Sequence, residues 1–237
     1  EVGRSNCIFI HVTLVPYLAA SREHKTKPTQ HSVNELQGMG INPDIIVLRS
    51  DGEVGEDIRR KIALFCNVKP DCVISDITLD CLYETPIALH NAGLDKAVCK
   101  ALKLGGRLQL SDWKAFVKRA KNVKTEVKIA LVGKYVALHD AYLSVAEALR
   151  SGGYAVNVKV DIAWVDSETV TDNTAKKIFG DADGIIIPGG FGGRATEGMI
   201  ATCKYAREND VPCLGICLGM QMMVIEYAGN VCGLNGA

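Results

Sequence analysis

The stretch VPCLGICLGMQMMVIEYAG, residues 211–229, decides how this chain is read. A short apolar run passes into a longer one of helical character, and the turn between them sets one cysteine between two glycines, Gly215-Ile-Cys-Leu-Gly219. Strand, Gly-x-Cys-x-Gly, then helix is the layout of a nucleophile elbow: the tight turn lifts the side chain at the strand end, and the small flanking residues relieve the crowding. The helix beginning at Leu218 would turn the positive end of its dipole toward a thiolate at Cys217. The plain alternative is a small core residue, because free cysteine is among the most buried residue types.

One βα unit upstream, GIIIPGG (184–190) ends a second apolar run in Pro188-Gly-Gly-Phe-Gly-Gly193. Glycines let an anion approach the backbone N–H groups closely, although a glycine-rich turn alone is equally a flexible turn. Two such ends in consecutive units of one sheet favour Cys217 as a nucleophile. The N–H of Leu218 and one from the 189–190 turn would then serve as an oxyanion hole.

Working outward, the same alternation repeats. VKIALVGKY (127–135), AVNVKVDIAWV (155–165), GIIIPGG and VPCLGI read as strands, with helices at 140–153, 173–180, 196–209 and 218–229. Near-continuous apolar strands separated by helices predict a parallel, doubly wound sheet, with ligands at the strands' carboxyl ends. An earlier unit shows strands at 7–15, 44–50 and 72–77 with helical spacing at 31–40 and 54–66, then a mainly helical stretch after residue 80. The charge-dense stretch RAKNVKTEVK (119–128) reads as the boundary, giving domains 1–122 and 123–237. The fold class is α/β, two doubly wound parallel-sheet domains.

Composition bounds the function. The 237 residues carry 27 basic and 27 acidic groups and are 48% apolar, which implies no broad basic field for nucleic acid. Nine cysteines without Cys-x-x-Cys spacing fit a reduced, cytoplasmic protein with no structural metal. No apolar run reaches the roughly 18–20 residues of a membrane span. The chain opens on Glu1 and enters a strand-like run almost at once, as if cut from something longer.

PGGFG followed by LGICLGMQ resembles the class I glutamine amidotransferases, whose sheet is flavodoxin-like. HVTLVPYLAASREHKTKPTQHSV, PDIIVLRSD, KIALFCNV and VGKY are similar, nearly end to end, to the CTP synthases, with KTKPTQHSV the most diagnostic; SDITLDCLYETP and the helices after it diverge. The resemblance implies a ligase of pyrimidine biosynthesis: ATP with Mg phosphorylates UTP, and ammonia released from glutamine displaces the phosphate to give CTP. It implies Cys217 as the nucleophile, Gly190 in glutamine and oxyanion binding, and Leu218, Gly219, Met220 and Gln221 lining the glutamine site. Lys25, Thr26, Lys27, Pro28, Thr29, Gln30 and Lys61 match positions that contact UTP, or CTP as inhibitor. Lys25 and Lys27 would offer point charges to phosphates and Gln30 a hydrogen bond; without the resemblance SREHKTK is an ordinary solvated basic loop. A homotetramer sharing nucleotide sites between subunits, with GTP as activator, is implied too.

Two departures temper this. The family places a His and a Glu downstream of the cysteine as general base, yet no histidine follows Cys217, and the last, His139, reads as a loop histidine before it reads as a substitute base. No G-x-x-x-x-G-K-S/T loop precedes Val123. The expectation is an internal piece holding one end of each active site and turning over neither glutamine nor UTP alone. A different cysteine hydrolase on a similar sheet and a non-catalytic assembly module stand as alternatives.

Overall fold

The computed structural model describes residues 2–106, 108–234 and 236. The chain divides into two compact units, Glu1–Val117 and Lys118–Ala237.

In unit 1, strands β1 (Ile10–Leu14), β4 (Ile45–Ser50) and β5 (Val73–Ile77) form a parallel sheet in that order. Between the first two, β2 (Tyr17–Leu18) and β3 (Glu23–His24) pair as a small antiparallel ribbon that has no counterpart among the strands expected from sequence. Side chains alternate across a strand, and β4 buries both sets. Ile46 and Leu48 pack with Val33 of α1 (Lys27–Gly38) and Ile62 of α2 (Glu56–Phe65), while Ile45 and Val47 pack with Leu89 of α3 (Thr85–Asn91) and Ala97 of α4 (Leu94–Leu102). Helix α1 starts at Lys27, not at His31 as its apolar spacing predicts. Pro28 explains the difference: proline looks like a loop signal in sequence but fits the first helical turn, where its missing N–H has no partner to lose.

Helix α5 (Ser111–Asn122) spans the division, and strand β6 (Thr125–Gly133) follows it after two residues. The stretch 119–128, which reads as a boundary from its charge, is therefore mostly the end of a helix and the start of a strand. Its charges lie on solvated faces.

Unit 2 continues with α6 (Leu143–Ala155), β7 (Val158–Asp166), α7 (Asp172–Phe179), β8 (Gly184–Ile187), α8 (Thr196–Glu208), β9 (Cys213–Gly215) and α9 (Leu218–Glu226). Its four strands are parallel in the order β7-β6-β8-β9. Numbered within the unit this is 2-1-3-4, a flavodoxin-like winding whose switch point lies between β6 and β8. Over the central strands β6 and β8 both faces are covered. Ala130, Val132, Ile185 and Ile187 pack against Phe179, Met199 and Met222, and on the other side Leu131 and Ile186 pack with Tyr142 and Leu149. The alternating βα rhythm of the sequence is the architecture observed.

Candidate active site

The turn from β9 into α9 is an elbow in geometry as well as in sequence. Cys217 caps α9 with φ of 52° and ψ of −106°, a backbone region costly for any residue with a Cβ. Strand β9 is tied to β8 by the Ile216 N–H donating to the Ile187 carbonyl (2.9 Å), and the turn is closed by the Gly219 N–H donating to the Ile216 carbonyl (3.0 Å). Both flanking glycines are sterically required. A Cβ on Gly219 would sit 2.0 Å from the Ile187 carbonyl oxygen, and one on Gly215 would sit 2.5 Å from the Met220 nitrogen. With the backbone pinned this way, Cys217 is exposed while Leu218 and Gly219 behind it are buried.

The glycine loop after β8 lies against this turn. A Cβ on Gly189 would meet Cys217 Cβ at 3.6 Å, and one on Gly190 would meet Leu218 Cδ2 at 3.2 Å. The structure thus brings Gly190, Cys217, Leu218 and Gly219 together. As the first residue of a helix, Leu218 has an N–H with no intrahelical partner, free for an oxyanion. Met220 and Gln221 follow on the first turn of α9, both exposed.

Sequence reasoning missed a set of residues under the loop. Lys134, the residue after β6, is 4% exposed. Its Nζ donates to the carbonyls of Phe191 (3.2 Å) and Gly192. Its own N–H donates to the Tyr142 hydroxyl at 3.1 Å, and its carbonyl accepts from Arg194 at 3.1 Å. Arg194 also pairs with Glu168 at 2.6 Å. The local signal was a lysine directly after an apolar strand, within VGKY; its partners in and beside the loop lie nearly sixty residues downstream.

His139 does not join this group. It stacks on Trp164 with ring centroids 4.1 Å apart. Trp164 belongs to β7, and β7 and β9 are the two ends of the sheet order. Three interstrand spacings separate them, about 14 Å, too far for proton transfer to Cys217. Among the other cysteines, burial pushes the Cys66 thiol up, and hydrogen bonding to Cys213 together with burial pushes up that of Cys203. Cys99 and Cys232 are exposed like Cys217, but neither sits in an elbow. An apolar cleft of about 540 Å³ between α6 and the sheet, lined by residues such as Val145, Leu149 and Ile186, includes none of the candidate residues.

In unit 1 the candidate nucleotide residues cluster where β3 runs into α1. Thr26, Thr29 and Gln30 are buried and bonded within the protein: the Thr29 hydroxyl donates to the Leu14 carbonyl (3.0 Å), and Gln30 Nε2 donates to the Thr26 hydroxyl (3.0 Å). Lys27, Pro28 and Lys61 lie at the start of α1 and on α2, and Lys25 pairs with Glu23. The Lys25 hydrogen bond, with smaller contributions that include the charge of Lys61, holds the Glu23 carboxyl below the usual carboxylate range. Both lysines thus act on Glu23, and Lys25 lies just before the start of α1, where an anion is favoured.

Residues 1–104 match the family description "CTP synthase N-terminus" and residues 137–236 match "Glutamine amidotransferase class-I". The CTP synthases of Clostridium acetobutylicum, Clostridium beijerinckii and Bacillus cytotoxicus are 55%, 54% and 51% identical over the whole chain. The chain spans 44% of the length of each. Among solved structures, the acivicin-bound glutaminase domain of Trypanosoma brucei CTP synthase matches 45% of this chain and 42% of its own, at 43% identity and a TM-score of 0.42.

Proposed function

This chain belongs to the CTP synthase family, and on that premise we propose that unit 2 carries the nucleophile of a glutaminase and unit 1 a part of a pyrimidine triphosphate site, the two serving amination of UTP to CTP. The observation that carries the reading is the backbone of Cys217, held at positive φ with the residue exposed where the glycine loop meets a helix N-terminus. In the proposed reaction the thiolate adds to the side-chain amide carbon of glutamine. The oxygen takes the negative charge facing the Leu218 N–H and the 189–190 turn. When the tetrahedral adduct collapses, the C–N bond breaks and the nitrogen leaves as ammonia after gaining a proton. Water then cleaves the thioester to glutamate and the free thiol.

That protonation needs an acid in reach, and His139, the one histidine in the sequence of unit 2, is stacked on Trp164 and not placed to act. We therefore infer that these 237 residues alone do not turn over glutamine. Mg-ATP fits no better. The sequence has no G-x-x-x-x-G-K-S/T loop, and among the described residues no three His, Cys, Asp or Glu side chains converge on a metal position, so these residues are given no part in phosphoryl transfer.

The test is affinity labelling. A diazoketone analogue of glutamine, which needs both a nucleophile and the amide-binding geometry, should modify Cys217 at least tenfold faster than Cys99 and Cys232, which are also exposed, as read by peptide mass mapping. Labelling spread evenly over the three thiols would remove the case for a glutamine site and leave the assembly-module reading.

A further inference from the structure

We propose that Lys134 is the positioning residue of the glutamine site: its buried ammonium fixes the glycine loop, and so sets where Gly190 stands relative to Cys217 and Leu218. This rests on the amidotransferase reading of Cys217.

The loop cannot hold itself. Its one large side chain, Phe191, is 88% exposed and contributes no packing. Gly190, Gly192 and Gly193 have no side chains, and Gly192 takes φ of 71°, so the backbone has wide freedom. Downstream, the Thr196 hydroxyl donates to the Gly193 carbonyl at 2.8 Å and Arg194 bonds to Glu168 and to the Lys134 carbonyl, which secures the entry to α8 but not residues 190–192. What crosses the loop is Lys134, donating to two successive carbonyls, those of Phe191 and Gly192. Because each peptide unit is planar, drawing these carbonyls to one ammonium also fixes the N–H groups of Gly192 and Gly193 in the opposite sense. Two charge-assisted hydrogen bonds, made where the lysine is 4% exposed, are much stronger than the same bonds in water.

The stem of the same side chain reaches the catalytic turn. A Cβ on Gly190 would lie 3.4 Å from Lys134 Cδ and 3.6 Å from its Cε, with Leu218 Cδ2 at 3.2 Å. Gly190 is thus sandwiched between the lysine methylenes and the residue after the nucleophile. Lys134 is itself fixed through its N–H to Tyr142 and its carbonyl to Arg194. It stands at the end of β6 next to β8, the switch point at which ligands gather in such sheets. It does not touch the reacting atoms; it acts through the loop.

The experiment compares the chain with Lys134→Met, which keeps the methylene stem and loses the ammonium, and Lys134→Arg, which returns a cation. Two reagents read Cys217: the diazoketone analogue of glutamine, which depends on the loop, and iodoacetamide, which does not. Lys134→Met should slow the first at least tenfold, leave the second within about threefold, and raise amide exchange across residues 189–193 about tenfold. Lys134→Arg should recover most of the loss. Wild-type labelling and exchange in Lys134→Met overturn the proposal, as does faster exchange with unchanged labelling. An equal loss with both reagents also overturns it, since that marks general destabilisation. If the wild-type chain shows no preference for the glutamine analogue, the amidotransferase reading itself fails, and the positioning role falls with it.

Discussion

Around Cys217 the contacts that matter join strand ends far apart in sequence: Ile216 to Ile187, Gly189 to Cys217, Lys134 to Phe191 and Gly192. Around Lys25 the named contacts are much shorter in sequence, with Lys25 bonded to Glu23 two residues back, Gln30 to Thr26 four back and Thr29 to Leu14 fifteen back. The first site is set by the packing of a whole sheet, so its precision is bound to the stability of unit 2. The second is a ribbon and a helix start, with charged side chains in solvent and only its threonines and glutamine built into the protein. A nucleophile needs its reacting atom fixed to a fraction of an ångström, whereas a polyphosphate is drawn by charge over several. The difference in construction fits the difference between the tasks proposed for them.

Substituting glycines should separate the two most sharply. Gly219→Ala forces a Cβ to 2.0 Å from a backbone oxygen that cannot retreat without parting β8 from β9. Such overpacking against a main chain should cost about 3 kcal/mol in unit 2 and abolish selective labelling of Cys217. In unit 1, a methyl added at Gly52 would have nothing within 4 Å, and the residue has no positive φ, so Gly52→Ala should change stability by less than about 1 kcal/mol. Denaturation followed through Trp164 for unit 2 and Trp113 for unit 1 resolves the two. Equal, small effects on both would mean that the elbow tolerates rearrangement and that the comparison is false.

That contrast also explains what could be read in the sequence. The elbow was legible because steric necessity is written locally: Gly215 and Gly219 flank Cys217, and only glycine fits there. The sheet of unit 2 was legible because runs such as ALVG and GIII are buried on both faces. Lys134 was not, since a lysine in sequence promises solvent, and only its two distant carbonyl partners make burial tolerable. The ribbon of β2 and β3 was hidden by its size, two residues a side. Helix α1 reads four residues short because KTKP carries loop chemistry that a first helical turn also accepts.

Acid should weaken the units unequally. Glu226, 3% exposed on α9, accepts from Arg207 Nη2 at 2.7 Å and from Asn230 at 3.2 Å. The Arg207 hydrogen bond holds its carboxyl below the usual range, against the opposing effect of burial. A carboxylate with a lowered folded pKa stabilises fully above its unfolded value, near 4.5, and loses that contribution as pH falls through the lower folded value. Below about pH 4.5, Glu226→Gln should therefore flatten the stability-against-pH slope of unit 2 by up to about 1.4 kcal/mol per pH unit. Unit 1, monitored at Trp113, should keep its slope. No change in unit 2 would mean that the Arg207 pair is no stronger folded than unfolded.

The smallest effect belongs to the looser site. Lys25 spends its charge on Glu23, and both side chains are about half exposed, so the pair adds little to folding. It does set a competition. A triphosphate approaching the start of α1 must draw Lys25 away from Glu23 and bear the repulsion of that carboxylate. Glu23→Gln removes both costs and leaves Lys25 and Lys61 unopposed, so UTP affinity should rise about threefold at low salt and less at high salt, where the Debye length shortens. Lys25→Ala should lower it about tenfold, the weaker end of a charge-assisted phosphate contact, because that side chain starts out paired. Neither change should alter labelling of Cys217, whose named fixing contacts all come from residues of unit 2. A Glu23→Gln protein that binds UTP no better, or a Lys25→Ala protein that binds it as before, would show that this cluster is only a solvated basic surface, and would leave the proposal resting on the elbow.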